Sequence, residues 1–467
     1  MKNLKLLILI TFTYSTVYSQ PHRSDNWYFG SLAGITFTNG TPSAITNGSM
    51  VTNEGCAAIS DTTGIILFYT DGVSVWNKNN TVMPNGSGLM GDASSTQSAV
   101  IVTKPGSNTE HYIFTMEELG DPDGFRYSIV DMNLNGGVGD VTAQKNIFIN
   151  TYMTEKLTAV QQLGTPNFWI ATHKWGNSAF YVYSLTTTGL QPTPIVSNVG
   201  IVHKDSAANA TYGQMKFNVC GNKIALAAGY LDTVEVFDFD NATGAVSNPI
   251  TLPMGYHVYG VEFSKNSRFL YVTNYNPSAT LVQFDLSSGN AATIIASKTV
   301  ISNTADMYGL QLANDNKIYA SRTVSAWLGV INSPETAGVN CNYVDNGVNL
   351  DPNGVGIYSL LGLPALTASY LRGETFCNTN TNIEETVNTD LITINPSVSG
   401  NQFVLSLNNS NPKFEFSIYN TEGRLIDHQT FFKANATITF GKELLQGIYF
   451  VELKTENRFH TKRIVKL

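Results

Sequence analysis

Three stretches of this chain repeat one another at a spacing of about 47 to 49 residues. Each opens on a Tyr-Gly pair: Tyr212-Gly213, Tyr259-Gly260 and Tyr308-Gly309. An alternating strand follows, then a polar turn ending in a basic and an apolar residue: Lys223-Ile224, Arg268-Phe269 and Lys317-Ile318. Second strands come next, at Ala225-Leu226-Ala227, Leu270-Tyr271-Val272 and Tyr319-Ala320-Ser321, and third strands run through Phe237, Phe284 and Val330. This period suits a four-stranded propeller blade. One such sheet leaves two apolar faces uncovered, whereas blades stacked radially bury each face against a neighbour.

Weaker copies precede these three, with second strands near Phe68, Ile113 and Ile170, and another at Trp27-Tyr28-Phe29-Gly30. The total is about seven units, within the range of propellers. No convincing amphipathic helix interrupts them. Runs rich in Val, Ile, Tyr, Phe and Thr alternate instead with Gly, Asn, Asp and Pro turns. In 281–286, Val282, Phe284 and Leu286 share one face and Gln283 and Asp285 the other, the pattern of a partly buried antiparallel strand. The first unit lacks an opening strand, and 357–363 looks like an opening strand with nothing after it. Pairing that segment beside the strand from Trp27 would close the ring and protect both edges. A pair of β-sandwiches, the rival architecture, does not predict a repeat of this length.

Only 13% of the residues are charged, against 42% hydrophobic and 11% aromatic, and the net charge of −8 is spread thinly. That balance fits a β-rich core with uncharged polar turns and excludes a disordered chain. A nucleic-acid surface needs clustered Lys and Arg, which the sequence lacks. At 467 residues the chain is long enough for two or more units.

The propeller region, 20–376, resembles a family of secreted propellers from Bacteroidota over most of residues 20 to 375. The resemblance rests on Asn26-Trp27-Tyr28-Phe29-Gly30, Leu67-Phe68-Tyr69-Thr70-Asp71-Gly72, Cys341-Asn342-Tyr343 and Gly362-Leu363-Pro364. It implies architecture and export, with no activity to carry over.

The two ends point the same way. Lys2 and Lys5 precede a short apolar run, Leu6 to Phe12, and Val17 and Ser19 prepare a cut between Ser19 and Gln20. The apolar run is far below the ~20 residues a bilayer span needs, so residues 1–19 read as a cleaved signal peptide and the mature form has no span. A polar linker is expected at 377–389. Seven short strands then follow within 390–467, enough for a small immunoglobulin-like β-sandwich. This tail resembles the type A sorting domains of type IX secretion. The matching residues are Asn395-Pro396, Gly400, Phe403, Ile418-Tyr419-Asn420, Glu422-Gly423-Arg424, the 447–451 strand and the basic ending Lys462-Arg463 to Leu467. The resemblance implies the type IX machinery as a partner and a secreted or surface-attached protein that passes through the periplasm.

Local chemistry is sparse. No H-x-x-x-H or H-E-x-x-H pattern occurs, and His111 and His173 read as structural residues of strands. The acidic, Gly-rich loops at 121–124 and 345–354 carry oxygen ligands suited to Ca²⁺, yet neither has full calcium-loop spacing, and turn formation explains their residues. No cofactor is expected. Glu117-Glu118 reads as a solvated loop end, because adjacent strand residues face opposite ways. Four cysteines allow three connectivities. Cys341 and Cys377 are the expected pair, since both fall where the large domain closes. For Cys56 and Cys220, buried free thiols and a second bridge stay equally open.

The fold class expected is all-β: an N-terminal propeller followed by a small sandwich. No catalytic, cofactor-binding or metal residue is assigned. Two functions fit. One is an exported binding, adhesion or scaffolding protein with a glycan or protein ligand. The other is a secreted lyase or hydrolase acting on polysaccharide or peptide. Carboxylates and histidines from several blades meeting at one channel mouth would separate them.

Overall fold

The computed structural model describes residues 22–204, 209–276, 280–303, 306–371, 392–396, 402–407, 413–420, 423–432, 437–455 and 458–466. The signal peptide, the Ser19/Gln20 cut, the linker and Cys377 lie outside them. The chain divides into two units near residue 378.

The first unit holds seven antiparallel sheets, taken here as blades 1 to 7, at 26–45, 57–87, 99–150, 153–198, 215–253, 257–302 and 307–349. Blade 1 has three strands, blades 3 and 4 have five, and the others have four. From blade 2 onward the first strand is buried along nearly its whole length, as in Ala57–Ser60, Met153–Gln161 and Met215–Phe217. The last strands, such as Val82–Ser87 and Ile147–Asn150, are mostly exposed. First strands therefore line the axis and last strands form the rim. Among the described residues there is one α-helix, the short Ala291–Ala296 turn capped by Asn290. No described helix is long and apolar enough to cross a membrane.

Because each blade is sandwiched between neighbours, the two-faced reading of 281–286 needs correction. Gln283 is as buried as Val282 and Phe284. Its amide donates to the Tyr271 hydroxyl (2.7 Å) and the Thr336 carbonyl (2.8 Å), and accepts from the Gly338 N–H (2.7 Å). A polar side chain on an inner face is thus satisfied inside the seam between blades 6 and 7.

Towards the axis, each first strand has a free edge. Gln97 serves three blades: its Oε1 accepts from Leu157 and Met215 N–H, and its Nε2 donates to the Met215 carbonyl. Gln214 Oε1 accepts from Val261 and Leu310 N–H. Glu262 accepts from Leu312 N–H and pairs with Lys216, which also reaches Gln311. These contacts stitch first strands that do not form ladders with one another.

Segment 357–371 supplies the rest. It meets blade 1 at one bridge, Ser31 to Tyr358. It then bonds Asn53 through Leu361 N–H, Cys56 through Ala365 N–H, and the Ile101 carbonyl through the Thr367 hydroxyl. It ends with the Ser369 and Tyr370 hydroxyls accepting from Gln161 and Thr103 N–H. The expected strand ladder beside Trp27 is therefore replaced by a tail threaded down the channel. Two features oppose a ladder: Pro364 has no N–H to donate, and Gly362 is pressed onto blade 2, where a Cβ would lie 1.8 Å from the Glu54 carbonyl oxygen. The ring closes by packing instead. Trp27 meets Phe37 (5.1 Å) and Tyr319 of blade 7 (5.6 Å), and Ser24 donates to Asn314.

The expected Cys341–Cys377 pair also needs correction. Cys341 is free and buried, near the Tyr271 hydroxyl, and Cys56 is likewise free and buried. Cys220, in the turn after the first strand of blade 5, is the disulfide-bonded one. The second unit contains a three-stranded sheet and a four-stranded sheet, whose core includes Leu405, Phe416, Ile418, Val451 and Leu453.

Two outcomes follow from this geometry. Gly362→Ala should destabilise the propeller by roughly 2–3 kcal/mol, because backbone must move to admit the methyl; denaturant titration checks it. Under non-reducing conditions, Cys56 and Cys341 should become alkylated only after unfolding, while Cys220 should require reduction; peptide mapping reads all three.

Candidate functional site

The Tyr-Gly pairs of the repeat sit where the first strands begin, so they gather at one mouth of the channel. The glycines allow the crowding: a Cβ on Gly260 would lie 2.3 Å from the Tyr308 carbonyl oxygen. Each preceding tyrosine is thereby carried to the rim. The rings form a chain across blades 5, 6 and 7. Tyr212 lies 5.7 Å from Tyr230, Tyr230 stacks on His257 at 3.9 Å, and His257 lies 5.8 Å from Tyr275. Tyr308 is 5.4 Å from Tyr275 and 5.5 Å from Tyr259. Tyr230 is 41% exposed while Tyr259 is buried, so the cluster runs from solvent into the mouth. Asp232 holds His257 Nδ1 at 2.9 Å.

Blades 2, 3 and 4 bring carboxylates to the same mouth. Glu54 precedes the first strand of blade 2, as Tyr212 does in blade 5. Its Oε2 accepts from the Tyr259 hydroxyl at 2.7 Å and lies 3.3 Å from Thr96 Oγ1. Glu155 of blade 4 is buried and accepts from four donors: Thr96 N–H (2.9 Å), the Thr96 hydroxyl (2.8 Å), Leu119 N–H (3.1 Å) and the Thr211 hydroxyl (3.1 Å). Thr96 Oγ1 also accepts from Gly213 N–H. A hydroxyl has one proton, and here it goes to the nearer carboxylate, Glu155. The Thr96–Glu54 contact is then a hydrogen bond only if Glu54 carries a proton and donates it. Burial, then the neighbouring Glu155, push Glu54 up to about 8, consistent with that accounting.

Glu117 and Glu118 follow the strand Glu110–Met116 and are half-buried beside this mouth, where the sequence suggested a solvated loop end. Burial and then Asp92 raise both, Glu117 to about 7. Lys156 lies behind the rim and donates to the Thr211 (2.7 Å) and Tyr212 (2.9 Å) carbonyls.

The remaining candidates are accounted for structurally. Asp123 pairs with Arg126 at 3.3 Å, and Asp351 accepts from Val355 and Gly356 N–H. Among the described residues no three His, Cys, Asp or Glu are grouped to hold a metal ion. His111 is fully buried with Nδ1 3.2 Å from the Thr103 hydroxyl, and burial holds it far below the usual histidine range, so it is neutral. A cavity of about 460 Å³ lies elsewhere, lined by Arg23, Thr103, Lys104 and Gln161.

Residues 393–467 match the family described as a secretion system C-terminal sorting domain. The tail is therefore a type IX sorting domain, and the protein is secreted or attached to the cell surface. No curated protein sequence matches the chain significantly. Several solved structures are similar in fold. A Lactobacillus plantarum protein is 12% identical over 73% of this chain and 99% of its own, with a TM-score of 0.43. A putative 6-phosphogluconolactonase from Bacteroides fragilis is 12% identical over 90% and 98%, at 0.39. PorZ, a surface component of the type IX system of Porphyromonas gingivalis, is 11% identical over 93% and 62%, at 0.37. At such identities and TM-scores these likenesses carry no argument about activity.

The raised Glu54 makes a signed prediction. Its unfolded carboxyl titrates near 4.5, so its contribution to stability is full below pH 4.5 and lost as pH rises through 8. Relative to wild type, Glu54→Gln should gain roughly 4 kcal/mol between pH 5 and pH 9. Paired thermal melts across that range measure it.

Proposed function

We propose that this chain is a non-catalytic binding protein that works outside the cell, in adhesion, ligand capture or scaffolding, and that its propeller takes the ligand at the tyrosine-lined mouth. One observation carries the reading. Rings from blades 5, 6 and 7 converge at one mouth, where Leu361 of the 357–371 segment also bonds Gly309. Tyrosines presented this way give large contact area at low entropic cost and are common anchors of recognition surfaces.

A propeller lyase or hydrolase is the second reading, and Glu54 favours it: a half-buried carboxyl protonated at neutral pH has the property of a general acid. Catalysis by two carboxylates needs a free partner, however. Glu155 is buried and its oxygens already receive four donors, so it offers no lone pair to a water or substrate.

Two measurements test the reading. Deleting 393–467 should leave the protein in the periplasm of a host with a working type IX system; equal export of truncated and intact protein would remove the export half. Tyr230→Ala and Tyr275→Ala should each weaken binding on glycan or peptide arrays about tenfold or more without changing the melting profile of the full chain. Unchanged binding would move the site away from this mouth.

A further inference from the structure

The oxygens that converge on the mouth share one electrostatic character. Glu54 feels Glu155 and Glu118 as repelling charges, Glu118 feels Asp92, Glu155 and Asp121, and Glu117 feels Asp92, Asp123 and Asp121. The Tyr275 phenol faces those of Tyr230, Tyr212 and Tyr308 and the Glu54 carboxyl, and each of these resists its ionisation. Tyr308 likewise faces Asp306 and Glu54. The cations nearby are committed elsewhere. Lys156 is tied to two carbonyl oxygens, Arg126 to Asp123, and Lys174 to Asn150 and the Thr151 carbonyl. Among the described residues the rim therefore presents acceptor oxygens and aromatic rings with no free lysine or arginine to balance them, and the His257 imidazole is held by Asp232. An anion is repelled there, whereas a cation gains from both the carboxylates and the ring quadrupoles.

We propose that the mouth binds a primary ammonium group, seated among Glu54, Tyr259, Tyr275 and Tyr308, and that its arrival expels the Glu54 proton to solvent. This assignment rests on the binding function proposed for the same mouth. Before binding, the protonated Glu54 carboxyl accepts from the Tyr259 hydroxyl and lies 3.3 Å from Thr96 Oγ1. An ammonium N–H replaces that proton as the charge facing the oxygen, so one proton leaves for each cation bound. The carboxylate keeps the Tyr259 hydroxyl as donor. A free small amine and a lysine side chain of a protein partner both supply the group.

The test uses the mature full-length protein and Nα-acetyl-lysine methylamide as probe, with its Nε-acetylated form as the neutral control. Calorimetry in buffers of different ionisation enthalpy should report proton release near pH 7. The probe's affinity should rise roughly tenfold or more from pH 6 to pH 9 as Glu54 ionises. The acetylated form should not bind. Glu54→Gln should weaken binding and sharply reduce both the proton release and the pH dependence, leaving only the part that Glu117 titrates, while Tyr230→Ala should weaken it and leave the pH dependence intact. Tighter binding of a Gly-Lys-Gly peptide than of the single residue would point to a protein source, and the reverse to a small amine. Equal binding of charged and acetylated probes, or binding of neutral sugars alone at this mouth, would overturn the ammonium assignment while the binding function stands. If array ligands are captured and mouth substitutions leave that capture untouched, the binding mouth itself falls.

Discussion

A blade's innermost strand has a hydrogen-bonding edge that no fifth strand can cover, and in a closed ring these edges crowd into the narrowest part of the molecule. These strands are buried, and each peptide group left unpaired there would cost about 1–3 kcal/mol. Much of the interior of this propeller is an answer to that difficulty. Gln97 and Gln214 are each shared among three blades, Glu155 and Glu262 accept from neighbouring strands, and 357–371 visits the edges of blades 1, 2, 3, 4 and 7 in turn. Buried polar residues that would be liabilities in a sandwich are here the mortar between sheets. The site inherits its parts from the same source, since Glu155 and Thr96 serve the strand edges before they serve the mouth.

The all-β ring and the sandwich tail were legible because they rest on period and alternation, which are local properties. The Tyr-Gly period located the first strands of blades 5 to 7, and the tail's seven strands appear where alternation placed them. Closure was half legible. The sequence marked 357–363 as the closing piece, but an apolar run cannot say whether it will pair along a neighbour or thread the axis. Pro364 and Gly362 were the available hints. The disulfide was not legible, because connectivity depends on which turns share a face; Cys341 faces inward at a blade seam, whereas Cys220 lies in a turn.

The mouth was legible in only one respect. The repeated tyrosines were visible, and packing seemed their natural use. Their aligned glycines show why they gather there: at Gly213 and Gly260 the backbone is crowded so tightly that a Cβ would clash with a neighbouring carbonyl. Glu54-Gly55 occupies the equivalent place in blade 2, and reading it against Tyr259-Gly260 would have put a carboxyl among the rings. Glu155 and Thr96 had no such marker. They come from chain positions 59 residues apart, and only the stacking of blade 4 on blade 3 brings them together.

The threaded tail also sets a timetable for assembly. The seven sheets are built from contacts local in sequence, but the axis is completed by the residues of this unit that leave the ribosome last. Until residue 371 has emerged, at least six acceptors and donors on blades 1 to 4 and 7 wait without their partners. Pairing Thr103 with Tyr370 spans 267 residues, a separation that slows a search for the native arrangement. The blades therefore remain an open, adhesive arc for most of synthesis and seal in one late step. A secreted chain benefits from that delay, because an arc still unlocked is easier to move across a membrane than a sealed ring.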